Sequence, residues 1–305
     1  MTRQARSLLG TDQLTPAQIN SYLNLARKMD PRKPSQLLRG KRVVLLFYEA
    51  STRTRTSFEF AAKALGATTT LITATSSSIE KGESLIDTGW TITALGADLI
   101  VMRHPNSGAP YLLSRYCPVP VINAGDGLHQ HPSQGLLDAL TIANHKPSFK
   151  GLRVVIVGDV FHSRVARSNA LLLSQMGAEV VFCGPPDLVP DVSATIANGV
   201  IACHNLDAAL QAADVVISLR IQKERLAGKQ LSLEEYVERY QIDSRRLRLA
   251  KPDAILLHPG PIIRGMELTS EVADGAQSCI HEQVANGVKM RMAILASALG
   301  KVRQA

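Results

Sequence analysis

Short apolar runs alternate with helical stretches along nearly the whole chain, and this alternation limits the fold more than any other feature. "RVVLLF" at residues 42–47 is typical of a buried strand, and strands of the same kind are predicted at 97–102 and 119–123. The apolar residues that follow the first run repeat at helical spacing: Phe58, Ala61, Ala62 and Leu65. Strands that alternate with helices form parallel sheets, since a crossover helix returns the chain to the start of the next strand. We therefore predict an α/β protein.

The alternation falls into two successions. The second begins at Gly151 with "LRVVIVG" at 152–158, and 305 residues are enough for two domains with separate cores. We therefore predict two domains, each with a mostly parallel sheet flanked by helices. In open α/β sheets, ligands bind beyond the carboxyl ends of the strands. Four arginines follow predicted strands in this way: Arg53, Arg103, Arg164 and Arg220.

The net charge indicates an anionic partner. The formal charge is +8 at pH 7, and the expected ligands are nucleic acid or small acidic metabolites. Aromatic residues are only 4% of the chain and do not alternate with the arginines, so a surface that stacks bases is disfavoured and we predict no nucleic-acid binding. No apolar run reaches the length of a membrane span, and the N-terminal residues lack the apolar segment of a signal peptide. We expect a cytoplasmic protein with no membrane partner.

Cofactor and metal motifs are incomplete. "VVIVGDV" at 154–160 resembles the start of a dinucleotide site but lacks the second and third glycines, and the chain has no Gly-Lys-Ser/Thr phosphate loop. His129 and His131 could supply two metal ligands, yet no further His, Asp or Cys constellation completes a site. The four cysteines are scattered singly, which predicts reduced core thiols. We predict no cofactor and no metal.

The stretch "YEASTRTRTSFEF" at 48–60 joins a predicted strand to a predicted helix. The first turn of a helix has unpaired N–H groups and the positive end of the helix dipole, and the hydroxyls and Arg53 add donors that suit a phosphate. Equally, Ser51 or Thr52 could be a simple helix cap beside solvated arginines. The residues alone leave both interpretations open.

Five motifs together resemble the aspartate/ornithine carbamoyltransferase superfamily over nearly the whole chain. They occur in the family's order and approximate spacing: "STRTRTSFE" (51–59), "MRHP" (102–105), "HPSQGLLDALTI" (131–142), "RIQKER" (220–225) and "HPGP" (258–261). The last motif has no cysteine where ornithine-specific members have an "HCLP"-type loop, so the resemblance is to the branch that uses aspartate. Transferases for other amines and a non-catalytic homologue stay open as alternatives.

The resemblance implies an activity and an architecture. The expected reaction transfers the carbamoyl group of carbamoyl phosphate to the amine of L-aspartate, giving N-carbamoyl-L-aspartate and phosphate, an early step of de novo pyrimidine biosynthesis. A carbamoyl-phosphate-binding domain is expected at 1–132 plus 285–305 and an aspartate-binding domain at 133–284, with the active site in the cleft between them. The family also implies a homotrimer with shared active sites, and it allows a regulatory chain or a dihydroorotase as a further partner.

The matched motifs also imply residue roles. The phosphate of carbamoyl phosphate is expected at Ser51, Thr52, Arg53 and Thr54. The carbamoyl group is expected at Arg103, His131 and Gln134, with backbone contacts from Pro259 and Gly260. The expected catalytic donors are Thr54, Arg103 and His131.

The second substrate has its own expected contacts. Aspartate is expected at Lys81, Arg164, Arg220 and Gln222, and Ser77 and Lys81 are expected to come from the neighbouring subunit. Arg167 stands where some relatives have histidine, and we expect it to support the site without contacting substrate.

Overall fold

The computed structural model describes residues 6–73, 82–221 and 232–302, which fall into two compact units. Unit 1 contains the described residues up to Leu137 together with those from Ala285 onward, and unit 2 is Asp138–Val284. Each unit has its own parallel sheet. The prediction of two parallel sheets flanked by helices is therefore confirmed.

Unit 1 is built on a four-stranded sheet with the strand order β2-β1-β3-β4. Its elements are α1 (Pro16–Lys28), β1 (Arg42–Phe47), α2 (Thr52–Ala64), β2 (Thr68–Thr73), α3 (Leu85–Ala94), β3 (Leu99–His104), α4 (Ala109–Tyr116), β4 (Val121–Asp126) and the start of α5 (Pro132–His145). The chain goes from β1 to β2 on one side and returns to β3 on the other. The strand order therefore reverses between β1 and β3.

Unit 2 is built on a five-stranded sheet with the strand order β7-β6-β5-β8-β9. Its elements are β5 (Arg153–Val157), α6 (Arg164–Gln175), β6 (Glu179–Cys183), a 3₁₀ helix (Asp191–Ile196), β7 (Ile201–Cys203), α7 (Leu206–Leu210), β8 (Val215–Ser218), α8 (Leu233–Tyr240), α9 (Ser244–Leu247), β9 (Ile255–Leu257), α10 (Ser270–Ala273) and the start of α11 (Ile280–Ala298). Here the order reverses between β5 and β8.

Strands in both sheets are buried on both faces. In β4 and β8 every residue is buried, as expected of parallel strands covered by helices on both sides. β2 is different, because none of its residues is fully buried and it lies at one end of the strand order. Its threonine-rich sequence suits that edge position.

Two strands extend further than the sequence pattern predicts. β3 continues through Arg103 to His104, and β4 continues to Asp126, because backbone pairing places His104 opposite Asp126. The apolar pattern ends earlier, because these last residues are polar. Arg103 and Asp126 therefore lie within strands, beyond the points where the apolar pattern ends.

The N-terminus of α1 is capped by residues that are close in the sequence. Thr15 begins α1 with a capping box: its hydroxyl accepts from the Gln18 N–H at 3.2 Å, and the Gln18 side chain accepts from the Thr15 N–H at 2.9 Å. Among the helices within the described ranges, none combines the length and the apolar character that crossing a membrane requires.

Phe58 tests how firmly α2 is anchored. Its side chain is fully buried under the Arg291 guanidinium, which lies 5.0 Å from the ring centre, whereas Phe60 on the same helix is 58% exposed. We expect Phe58→Ala to lower the free energy of unfolding by about 3–5 kcal/mol, because it leaves a cavity in the core.

The matched control is Phe60→Ala, for which we expect a change within about 0.5 kcal/mol. Urea-induced unfolding followed by circular dichroism measures both variants. Equal losses for the two phenylalanines would contradict the burial assigned to α2.

Candidate active site

The first group of candidate residues lies at the strand-order reversal of unit 1, where β1 leads into α2. Ser51 precedes α2 with extended backbone but makes no capping hydrogen bond to the helix's first turn, which the structure describes in full. The first turn also contains no acidic residue. The simple cap interpretation of Ser51 is therefore disfavoured, and the α2 dipole places partial positive charge at this turn, which suits an anion.

Side chains of the same turn add further donors. Thr54 is buried at 6% exposure, whereas Thr52 and Arg53 are exposed. The Ser57 hydroxyl donates to the Arg53 carbonyl at 2.6 Å, which closes the turn from the side of the helix. The turn thus combines buried and accessible hydroxyls with a guanidinium, as a phosphate site requires.

Arg103 is held near the end of β3, beside the loop that follows β1. Its carbonyl accepts from the Tyr48 N–H at 2.9 Å, which ties the loop after β1 to β3. Its guanidinium donates to the Ala124 carbonyl at 3.4 Å, and Nε lies 3.4 Å from a carboxylate oxygen of Glu49. With its side chain only 14% exposed, Arg103 is oriented from two sides. The sequence analysis missed Glu49, although its place beside the hydroxyl-rich turn was a signal.

His131 and Gln134 lie at the start of α5. Both are buried, and the backbone N–H of Gln134 donates to the His131 carbonyl at 2.9 Å. The Ser133 hydroxyl lies 3.4 Å from Nδ1 of the His131 ring. The sequence-predicted carbamoyl residues of unit 1 are therefore found at the carboxyl ends of β1, β3 and β4 or in the helices that follow.

The turn before α5 depends on Asp126, the last residue of β4. This carboxylate is fully buried: one oxygen accepts from the Gly108 N–H at 2.7 Å and faces His129 Nδ1 at 3.0 Å. The other accepts from the Asn123 amide at 2.8 Å and the Gln130 N–H at 3.1 Å. Burial alone raises the pKa of Asp126, but these hydrogen bonds, led by that of His129, outweigh burial and lower it below 3.8.

A second group of candidate residues lies at the strand-order reversal of unit 2. Arg164 is the first residue of α6, after the Ser163 cap, and Arg220 follows β8. β5 and β8 pair in parallel, with Val157 opposite Ser218. The two arginines therefore belong to the same edge of the sheet, with Arg164 half-buried and Arg220 exposed. The guanidinium of Arg167 donates to the Phe161 carbonyl at 3.3 Å and so braces the loop before α6.

Gly158 explains why this loop resembles a dinucleotide-binding turn. Its φ of +121° favours glycine, and a Cβ at this position would lie 3.2 Å from the Leu219 carbonyl oxygen. The glycine thus permits close packing of the β5 and β8 ends.

The "HPGP" loop follows β9 and is held by a buried histidine. The Gly260 N–H donates to Nδ1 of His258 at 2.8 Å, which places the ring proton on Nε2. Nε2 then donates to a Glu267 oxygen at 3.0 Å, and the Ile263 N–H donates to the same oxygen at 2.7 Å. Pro259 and Gly260 are half-buried within the loop that these bonds close, and the Gly260–Pro261 peptide is cis.

A chain of buried polar groups continues from His258. Its N–H donates to the Gln283 side-chain oxygen at 2.9 Å, and the Gln283 amide donates to Asp138 at 2.6 Å. The other Asp138 oxygen accepts from the Asn169 amide at 2.8 Å. The sequence analysis missed these residues, although a carboxylate in the apolar stretch "LLDAL" was a detectable signal.

Three of the predicted site residues, Ser77, Lys81 and Gln222, lie outside the described residues. The others form two groups. Unit 1 contains Ser51, Thr52, Arg53, Thr54, Arg103, His131 and Gln134, and unit 2 contains Arg164, Arg220, Pro259 and Gly260.

Parallel α/β units with donor-rich loops at their strand-order reversals define a class of proteins that bind small anionic ligands. The chain belongs to the aspartate/ornithine carbamoyltransferase family. Residues 6–144 match that family's carbamoyl-P binding domain, and residues 150–298 match its Asp/Orn binding domain. The family expected from the motifs is confirmed.

Similar proteins match nearly the whole chain. It is 65% identical over 300 residues to the aspartate carbamoyltransferase catalytic subunit of Koribacter versatilis, covering 98% of this chain and 99% of the relative. It is 51% identical over 298 residues to the protein of the same name from Solibacter usitatus, covering 96% and 99%.

Solved structures agree on the fold. Aspartate transcarbamoylase from Trypanosoma cruzi, in complex with carbamoyl aspartate and phosphate, is 33% identical with a TM-score of 0.85, covering 96% of this chain and 95% of that one. Ornithine carbamoyltransferase from Pyrococcus furiosus is 30% identical with the same TM-score of 0.85, covering 98% of each chain. The backbone fold therefore does not distinguish transferases named for aspartate from those named for ornithine.

Asp126→Asn tests the buried carboxylate. The amide nitrogen of Asn would face N–H donors, so we expect the free energy of unfolding to fall by about 2–4 kcal/mol at neutral pH. Because the folded-state pKa of Asp126 is lowered, its stabilisation is present above its ordinary value of 3.8 and is lost as the pH falls through the lowered pKa. The difference between wild type and variant should therefore shrink only below pH 3.8.

Urea unfolding at neutral and acidic pH measures this difference. Asp30→Asn is the matched control, because the Asp30 side chain is 39% exposed, and we expect a change within about 0.5 kcal/mol. A loss in Asp126→Asn that stays constant into the acidic range would show that the carboxylate charge is not the cause.

Proposed function

We propose that the chain transfers the carbamoyl group of carbamoyl phosphate to the amine of L-aspartate, producing N-carbamoyl-L-aspartate and phosphate as an early step of de novo pyrimidine biosynthesis. One observation carries this proposal. The chain is 65% identical to a relative named aspartate carbamoyltransferase catalytic subunit, and the match covers 99% of that relative. A Trypanosoma cruzi aspartate transcarbamoylase that is 34% identical to the chain was solved in complex with carbamoyl phosphate and aspartate.

Carbamoyl phosphate binds unit 1 in this proposal. The phosphate lies at the N-terminus of α2, against Ser51, Thr52, Arg53 and Thr54. Arg103 reaches the phosphate and the carbonyl oxygen, while His131 and Gln134 contact the carbamoyl group. The uncapped first turn of α2 and the orientation of Arg103 by Glu49 support this assignment.

L-Aspartate binds through its two carboxylates. Arg164 and Arg220, at one sheet edge of unit 2, are the proposed cationic partners, and planar guanidinium groups suit carboxylates. Lys81 and Gln222 complete this set, and Pro259 and Gly260 supply backbone contacts to the substrates. The closed "HPGP" loop supports the last two roles.

The reaction needs positioning and charge stabilisation. The amine of aspartate attacks the carbonyl carbon, a tetrahedral oxyanion forms, and its collapse breaks the bond to phosphate. Thr54, Arg103 and His131 donate to the oxygen where negative charge develops. Fixed cations offset the repulsion between the two anionic substrates, and the leaving phosphate accepts the amine proton.

Several wider features belong to the same proposal. The first domain, 1–132 plus 285–305, takes carbamoyl phosphate, and the second, 133–284, takes aspartate; the division of the structure after Leu137 and after Val284 supports boundaries in these regions. The protein works in the cytoplasm as a homotrimer in which Ser77 and Lys81 enter a neighbouring subunit's active site. A regulatory chain or a dihydroorotase is a further partner.

Ornithine is the alternative acceptor, favoured by the structural similarity to a Pyrococcus furiosus ornithine carbamoyltransferase. The purified chain should be given carbamoyl phosphate with aspartate or ornithine in parallel, and the carbamoyl product measured. We expect product from aspartate alone. Product from ornithine alone would overturn the roles of Arg164 and Arg220 while leaving the phosphate site in place.

His131→Ala tests the oxyanion donors. Loss of one such donor typically lowers turnover by about 10²–10³-fold, so we expect kcat to fall by that factor with little change in the KM for carbamoyl phosphate. Steady-state kinetics with both substrates measures the two effects. The control is His281→Ala, which removes an exposed histidine and should leave kcat unchanged. Unchanged turnover in His131→Ala would remove His131 from the mechanism.

Arg220→Ala tests the aspartate contacts. Losing a charge-assisted hydrogen bond of about 1.5–3 kcal/mol should lower kcat/KM for aspartate roughly 10–150-fold. The inhibition constant of inorganic phosphate should stay unchanged, because Arg220 does not contact the phosphate in this proposal. Arg248→Ala, another exposed arginine of unit 2, is the matched control. Weakened phosphate inhibition with an unchanged KM for aspartate would reverse the assignment.

A further inference from the structure

Three potential metal ligands meet in unit 2, away from the residues assigned to substrate. His145 is the last residue of α5, Cys279 directly precedes α11, and Glu282 lies in the first turn of α11. The His145 Nε2, the Cys279 Sγ and a Glu282 carboxylate oxygen all lie within 4.8 Å of one another. Nε2 is 2.6 Å from the carboxylate and 3.5 Å from the sulfur.

These spacings resemble those around tetrahedral zinc. With Zn–S of about 2.3 Å and Zn–N of about 2.0–2.1 Å, a tetrahedral angle separates sulfur and nitrogen by about 3.5 Å. The Cys279 and His145 atoms already have this separation. Nitrogen and oxygen should be about 3.3 Å apart, so the carboxylate must retreat by about 0.7 Å. The Glu282 side chain is 37% exposed, and its other carboxylate oxygen accepts from the Asn144 amide at 2.9 Å.

His145 Nε2 cannot form hydrogen bonds with both of its neighbours in this cluster. His145 Nε2 has either a proton or a lone pair, so it cannot donate to Glu282 and accept from the Cys279 thiol at the same time. The 2.6 Å contact indicates donation to the carboxylate, which leaves the thiol without a good acceptor on the ring. A cation that binds all three donors removes this conflict.

We propose that His145, Cys279 and Glu282 form a binding site for a borderline-soft divalent metal, with Zn²⁺ the best match and water as the fourth ligand. Imidazole, thiolate and carboxylate are the ligands that Zn²⁺ prefers. On binding, the thiol proton leaves to solvent and the imidazole proton moves to Nδ1. Burial, together with the Glu282 charge, raises the pKa of the Cys279 thiol to about 11, so the metal must displace this proton when it binds.

The site joins two helix ends and takes no part in the reaction. None of its three ligands is among the residues assigned to either substrate. Its expected effect is to link the end of α5 to the start of α11. The sequence pattern gave no sign of the site, because 134 residues separate His145 from Cys279.

Cobalt provides a direct test, because Co²⁺ replaces Zn²⁺ in such sites and a thiolate ligand produces a charge-transfer band in the near ultraviolet. We expect Co²⁺ titration of the full chain to give this band at one equivalent, and Zn²⁺ to abolish it. Cys279→Ser should lose the band while folding normally, because serine is favoured at a helix N-cap. Cys203→Ser, which alters a half-buried thiol elsewhere in unit 2, should keep it.

Two further measurements make the test complete. Glu282→Gln should weaken Co²⁺ affinity at least tenfold, and Zn²⁺ should raise the melting temperature of the wild-type chain by about 5 °C in a chelator-reversible way. The same addition should leave the melting temperature of Cys279→Ser unchanged. No band in the wild type, or an equal band in Cys279→Ser, would overturn the proposal.

Discussion

The carboxyl ends of parallel strands collect at one edge of a sheet, and the rest of this structure depends on that constraint. Where the strand order reverses, the following segments leave toward opposite faces and leave the strand ends open between them. Unit 1 has its reversal between β1 and β3, and unit 2 has its reversal between β5 and β8. Residues as far apart in the chain as Arg53 and Arg103, or Arg164 and Arg220, thereby belong to the same sheet edge.

Buried polar groups hold the loops at these edges. Asp126 accepts four hydrogen bonds around the turn before α5, and His258 and Glu267 close the loop after β9. Burying a carboxylate is costly unless its oxygens are fully hydrogen-bonded, and such groups contribute more to geometry than to net stability. Their arrangement suits a reaction that depends on fixed donors, because donors that are already in place need no reorganisation when charge develops.

The fold leaves substrate choice to side chains. An ornithine carbamoyltransferase and an aspartate transcarbamoylase match this chain with equal TM-scores of 0.85, so the scaffold is common to both chemistries. The amine substrates differ in the charge of their side chains, and the arginines after β5 and β8 are complementary to a dicarboxylate. Under the proposed function, the choice of amine substrate therefore depends on a few loop residues at strand ends.

The sequence by itself determined the parallel α/β class, the division into two successions, the capping box of Thr15 and the motifs that identify the family. These features are encoded locally, in hydrophobic period and in residues a few positions apart. Only the tertiary structure decided that Ser51 does not cap α2, that β3 and β4 extend to His104 and Asp126, and that Glu49 orients Arg103.

The His145, Cys279 and Glu282 cluster also belongs to the tertiary structure alone. His145 lies more than a hundred residues before Cys279 and Glu282 in the chain, and no periodicity relates it to them. Partners at such distances are selected by which strand pairs with which and by which polar groups must share a buried space. That information is collective, because it depends on the packing of whole elements and not on any one segment of the sequence.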